Sequence, residues 1–290
     1  MKQSIFLDTC VISNLVELGI SPKEFNDILN KKNLIPVISP YVTYELAKTL
    51  TSKNPTKTFD DFSFIKILNP ECCYLSTELY MSEVKRIKDD TPVEYFSSDW
   101  RKTALLQEGD NLKDAKHKAD AIGYIEERQH YFNISRATWY PIQYEKFKKY
   151  KQGFQRLLFE FLGDFKDNPD KIDYVRKLIQ RATNEQGILS DKEVIKFYYN
   201  MSGYPALKSL LYSQLYLGFL TETNRQTPAK DRFFDASILI EASYCAYFLS
   251  ADYDLIYKHA KHINPHINLI YLDEFLKQEK IKRQNVAEPS

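Results

Sequence analysis

Glycine is scarce in this chain, with eight residues in 290, and none is arranged as a G-x-G-x-x-G or other phosphate-cradling loop. That argues against a nucleoside triphosphate or dinucleotide site. Cysteine is also sparse: Cys10, Cys72, Cys73 and Cys245 form no C-x-x-C pair, and two of them are adjacent. Neither a disulfide framework nor a zinc knuckle fits that spacing, so the four are read as reduced thiols. Excess charge of either sign is missing, because 40 basic residues offset 39 acidic ones to leave a net +1. No global field therefore advertises a polyanionic partner, and any nucleic-acid contact must be local. Long apolar runs are absent as well; the opening Met-Lys-Gln-Ser is followed only by a short apolar run to Leu7. The expectation is no secretory signal, no membrane span and a cytoplasmic setting.

What the chain does have is enough apolar content, 43%, to bury a substantial core in one large domain or two small ones. Ser4 to Leu7 predicts a short strand ending at Asp8, and Val11 to Leu18 carries apolar residues at helical spacing. Ser21-Pro22 starts a second helix through Leu29, since Ser is a favoured N-cap and Pro suits the first helical position. Leu34 to Ser39 predicts a strand, and Pro40 opens a helix containing Tyr41, Tyr44, Glu45 and Lys48. Strand and helix alternating in this way point to a parallel sheet.

From about Thr77 to Thr227 long amphipathic stretches are broken by Pro92, Pro141, Pro169 and Pro205 without convincing strand runs, which reads as a helical block. Alternation then returns. Asp231 to Tyr244 predicts a helix, Ala246 to Leu249 a buried strand, Tyr253 to His262 a helix, Ile267 to Tyr271 a strand, and Asp273 to Lys280 a closing helix. The two ends look like halves of one sheet, with residues 1–76 and 228–290 as a discontinuous core. Residues 77–227 are then a helical insertion, part of which, including Ala206 to Leu220, completes the core.

In an open parallel sheet, chemistry collects beyond the carboxyl ends of the strands. Asp8 and Asp252 follow two predicted strands, while Glu45 and Asp235 sit on helices among apolar neighbours. Such placement is costly unless something compensates the charge. Two carboxylates ~5 Å apart at an effective dielectric of ~20 repel by about 3 kcal/mol, and a divalent cation removes that penalty. Mg²⁺ or Mn²⁺ prefers hard oxygen ligands and activates water for attack on a phosphodiester. Each acid also has a plainer reading. Asp8 and Asp252 could cap the helices that follow them, Glu45 could pair with Lys48, and Asp254 could simply favour a helix N-terminus. Asp231, one turn before Asp235, could hold a second metal or start its helix.

Phe6-Leu7-Asp8-Thr9, then Ser39-Pro40 with Glu45-Leu46, then Asp235-Ala236 in an apolar helix, then Leu249-Ser250-Ala251-Asp252-Tyr253-Asp254-Leu255, together resemble the PIN-domain nucleases. The resemblance covers about the first 55 and last 60 residues. It implies a three-layer α/β/α fold with a central parallel sheet, here carrying the large helical insertion. It also implies Asp8, Glu45, Asp235 and Asp252 as Mg²⁺- or Mn²⁺-binding acids, with Asp231 as an additional ligand and Ser250, Thr9 and Asp254 in support. The expected activity is metal-dependent phosphodiester hydrolysis, with RNA favoured as substrate and a separate protein regulator such as an antitoxin compatible with it. The alternative is a catalytically silent PIN-like module that binds nucleic acid or protein.

A local basic stretch, Lys146, Lys148, Lys149, Lys151 and Arg156, interleaves with Phe147, Tyr150 and Phe154. It has the mixture a strand-gripping surface needs, though an amphipathic helix with a solvated lysine face is the plainer and preferred reading. His259, His262 and His266 match no zinc spacing, because Pro265 interrupts them and no Cys or Glu completes a set. Cys10 stands where a haloacid-dehalogenase-type phosphatase would carry its second acid, which weakens that rival.

Overall fold

Five short strands, all parallel, run in the order β3-β2-β1-β4-β5 through the centre of the chain, shown here as a computed structural model that describes residues 2–48, 55–97, 153–184, 189–224 and 230–278. The strands are β1 (Gln3–Leu7), β2 (Leu34–Ile38), β3 (Glu71–Cys72), β4 (Tyr247–Ser250) and β5 (Asn268–Tyr271). Ile5, Phe6 and Leu7 are completely buried, the unbroken apolar run a central strand shows when both of its faces are covered. Phe6 stacks on Phe248 of the neighbouring β4, with ring centroids 5.8 Å apart. Pro36, which has no N–H for a sheet ladder, pairs with Ile5 of β1 but lies just before β3 begins to pair at Val37.

The helices follow from this strand order. After β1 come α1 (Thr9–Glu17) and α2 (Pro22–Lys31), and after β2 come α3 (Pro40–Lys48) and α4 (Pro55–Leu68). The described chain continues with α5 (Ser76–Asp89), α6 (Phe154–Gly163), α7 (Pro169–Thr183), α8 (Asp191–Tyr199), α9 (Pro205–Asn224) and α10 (Lys230–Glu241). Between β4 and β5 a π-helical turn, Leu255–His259, leads into α11 (Ala260–Ile263), and α12 (Leu272–Gln278) follows β5. Crossovers between parallel strands are right-handed, so reversing the direction of travel at β1 sends the two sets of helices to opposite faces. Packing agrees with that rule. Phe25 of α2 meets Phe64 of α4 and Phe275 of α12, whereas α9 packs on α5, α6, α10 and α11. The arrangement is an α/β fold consistent with three α/β/α layers.

Local sequence sets the helix starts. Ser21 caps α2 through a reciprocal box with Glu24, and Pro22 occupies the first turn. α9 is apolar on nearly all sides, with Ala206, Leu207, Leu210, Leu211, Leu215 and Leu217 buried, as a helix enclosed by others must be. Side chains of α5 to α9 share one continuous buried cluster with β1 and β4. Among the described residues, no helix is long and apolar enough to cross a membrane.

Two buried acids tie this second layer together. Glu83 of α5, completely buried, accepts the backbone N–H groups of Ala206 and Leu207 at 2.8 and 2.7 Å, in the first turn of α9, and the Tyr244 hydroxyl at 2.6 Å. Glu241, at the end of α10, accepts the N–H of Ser76 at 2.9 Å, at the start of α5. Each carboxylate thus supplies the acceptor that a neighbouring helix N-terminus lacks.

Candidate functional site

Strand order reverses between β1 and β4, the place in an open α/β sheet where a crevice opens beyond the carboxyl ends. Asp8 leaves β1 at that point. Its backbone N–H still bonds to the Leu249 carbonyl at 3.1 Å, so the residue is fixed to β4 before its side chain is considered. That side chain caps α1, with Oδ1 accepting the Thr9 N–H at 2.7 Å. Oδ2 accepts the Ser250 hydroxyl at 2.6 Å and the Cys10 thiol at 3.1 Å. Ser250, completely buried at the end of β4, also accepts the Asp252 N–H at 3.0 Å. One hydroxyl therefore clamps the exits of both central strands. Ser250→Ala should leave an acceptor and a donor short of partners and cost about 1–3 kcal/mol. A thermal melt indistinguishable from wild type would show that the hydroxyl does not hold these exits together.

Three further acids approach from other elements. Glu45 comes from α3, which packs against α1, α4 and α10, and it accepts the Thr9 hydroxyl at 2.5 Å. Asp235 comes from α10, with a side chain 19% exposed and paired to Arg232, Nη1 to Oδ2, at 3.0 Å. Asp252 is exposed beyond β4 and accepts the Leu255 N–H at 2.9 Å, capping the turn that follows. The capping roles read from the sequence are therefore present at Asp8 and Asp252. They leave oxygen lone pairs over, since a carboxylate has room for about four acceptor contacts.

Electrostatics shows that the four acids share one neighbourhood. The Asp235 carboxyl is raised to about 7, chiefly by burial and next by the negative charge of Asp8, with smaller additions from Glu45 and Asp252 and with Arg232 opposing the rise. Asp8 is likewise held above the ordinary carboxylate range, first by burial and in small part by Asp252, against the hydrogen bonds from Ser250, Cys10 and Thr9. The site thus carries surplus negative charge on hard oxygen donors, the chemistry that suits Mg²⁺ or Mn²⁺. Each carboxylate is meanwhile turned onto a donor of the protein itself. Among the described residues no three His, Cys, Asp or Glu side chains stand together as a ready metal cage, so filling the site requires side chains to turn from these partners.

The remaining expected site residues divide three ways. Asp254 is exposed and paired with Lys258 at 2.7 Å, and that contact holds its carboxyl low. Arg156 is exposed and paired with Glu160 at 3.1 Å. Lys146, Lys148, Lys149 and Lys151 lie outside the described residues, as does the side chain of Asp231, whose backbone belongs to α10. Of the histidines, His259 bonds the Tyr216 hydroxyl at 2.8 Å, and burial pulls its value down to about 4.

Two residues that line the site were given no part in it by the sequence reading. Arg232 lies three residues before Asp235 on α10, and an i, i+3 pair with a semi-buried acid was its available signal. Cys10 donates its thiol to Asp8 and accepts the Ala251 N–H at 3.1 Å, which knits the β1 exit to the β4 exit. Burial pushes that thiol well above its ordinary value, so it acts as a neutral donor rather than a nucleophile. No family model, curated protein or solved structure matches the chain.

Proposed function

We propose that the chain is a PIN-like, Mg²⁺- or Mn²⁺-dependent nuclease that hydrolyses phosphodiester bonds, with RNA as the favoured substrate. The observation that carries the reading is that Asp8, Glu45 and Asp252 each raise the cost of ionising Asp235, and Asp252 that of Asp8, beside the strand-order reversal. When bound there, a hard divalent cation neutralises charge developing on the phosphate and acidifies a water. Asp8, Asp235 and Asp252 would hold it, with Glu45 completing the set directly or through water. Ser250, Cys10 and the Thr9 N–H orient Asp8, while the Thr9 hydroxyl orients Glu45. A cytoplasmic setting and a protein regulator such as an antitoxin belong to the same reading.

The test is cleavage of labelled single-stranded RNA and DNA with Mg²⁺ or Mn²⁺, and its loss on chelation. Because Asp235 is raised to about 7, the rate at limiting metal should climb about tenfold between pH 6 and pH 8 as the carboxyl loses its proton. A flat profile would remove Asp235 from the metal-binding set. The alternative, a silent binding module, is favoured by the way the carboxylates are engaged with protein donors. It predicts oligonucleotide binding with no cleavage in either metal.

A further inference from the structure

Arg232 stands at the edge of the acidic crevice, on the same helix and one turn ahead of Asp235. Its Nη1 meets Asp235 Oδ2 at 3.0 Å, and its side chain remains 25% exposed. A guanidinium has five N–H donors in a planar fork, so a single contact leaves most of its donors for another oxyanion. Its charge is felt beyond Asp235, at His259 on the turn that follows β4 and at Asp254. Arg232 thus belongs to the helix that brings Asp235, and its charge acts on groups that follow the strand exit that brings Asp252.

Asp235 is under competing demands at this point. Asp8, Glu45 and Asp252 repel its charge, and Arg232 offsets part of that repulsion. A divalent cation carries twice the charge of a guanidinium and would interact with all four acids instead of one. It would take Asp235 from Arg232 and leave the guanidinium beside the metal without its partner. A phosphate oxygen arriving at the metal is the natural next acceptor, because arginine matches phosphate geometry with paired N–H bonds.

Resting on the nuclease reading above, we propose that Arg232 is an exchangeable counter-ion: it neutralises Asp235 in the metal-free site, and metal uptake frees it to grip a non-bridging oxygen of the substrate phosphate. Metal and phosphate binding are then coupled through one side chain. By linkage, whatever metal gains from substrate, substrate gains from metal.

Mn²⁺ uptake without substrate, followed by the loss of the free-ion electron paramagnetic resonance signal, measures the first half. Arg232→Gln should bind Mn²⁺ about three- to tenfold more tightly than wild type, since a competing cation is gone. Arg232→Lys keeps the charge and should stay near wild type. The second half is the affinity for a single-stranded RNA oligonucleotide with unmodified phosphates, read by rapid-mixing anisotropy before cleavage, with and without Mn²⁺. Mn²⁺ should raise the affinity of wild type about tenfold or more and that of Arg232→Gln about threefold or less, with Arg232→Lys between them. Matching thermal melts establish that the variants are folded. Unchanged or weaker Mn²⁺ binding by Arg232→Gln, or an equal oligonucleotide gain in wild type and Arg232→Gln, overturns the exchange while leaving the nuclease reading in place. Failure of wild type itself to take up Mn²⁺ overturns both.

Discussion

Asp8→Asn should reduce metal-dependent cleavage by about a thousandfold or more, roughly 4 kcal/mol of transition-state stabilisation, while leaving the protein folded. The two halves of that expectation come from the same geometry. Asp8 is the acid tied to both central strands, because it leaves β1 while its own N–H and its Oδ2 both bond to β4. An amide there keeps a carbonyl oxygen for the Thr9 N–H but brings no charge to a cation. Stability should change little, since relief of a buried acid whose ionised form is disfavoured offsets the acceptor that the amide nitrogen no longer offers the Ser250 hydroxyl and the Cys10 thiol. A single-turnover assay on labelled RNA beside a thermal melt separates the two effects. Wild-type cleavage by the variant would move the chemistry away from this cluster altogether.

Glu83→Ala should destabilise the fold by about 3–5 kcal/mol, because two N–H groups of α9 and the Tyr244 hydroxyl would lose their buried acceptor. Glu83→Gln tests the charge. Burial raises the Glu83 carboxyl from 4.5 to about 7, against the bonds from Tyr244, Leu207 and Ala206. An acid whose folded value is raised contributes stability that is complete below the unfolded value. That contribution disappears as the pH climbs through the folded value. Wild type should therefore lose about 3 kcal/mol relative to Glu83→Gln between pH 4.5 and pH 8 to 9, as read from denaturant midpoints. A gap independent of pH would mean that the carboxyl ionises as easily inside the protein as outside it.

The alternation of strands and helices at both ends was legible because it rests on strong local signals. Ser21-Pro22 is both a cap and a helix start, and Ile5 to Leu7 is apolar without interruption. Most of the expected strands and helices there fall within a residue or two of the observed ones, as at Leu34–Ile38 and Asn268–Tyr271, while the helix expected to reach Tyr244 stops at Glu241 and gives way to a 3-10 turn. Other elements left no such trace. β3 is only Glu71–Cys72, too short for any period to show. α4 buries Phe62, Phe64, Ile65 and Leu68 on one face, but that face also carries the buried Thr58 and Asp61 while Ile67 is exposed on the other, so the apolar stripe is blurred in the sequence. The shared neighbourhood of Asp8, Asp235 and Asp252 could be anticipated from strand ends and from an acid set among apolar residues. The roles of Arg232 and Cys10 could not, because each depends on a side-chain contact that spacing alone does not specify. Glu83 and Glu241 escaped for a similar reason: an acid capping a different helix leaves no pattern within its own.

The Ser250 hydroxyl bonds Asp8 across 242 residues of sequence, and that separation bears on how the protein comes into being. During synthesis β1 leaves the ribosome long before β4 exists, so one edge of the central strand must wait for its neighbour. Closing so long a loop is a late and slow event compared with forming local helices. Until it closes, Asp8 lacks both Ser250 and Asp252, and a nascent chain carries no assembled acidic crevice. Whatever chemistry this crevice performs is thereby withheld until translation has passed the last of its residues.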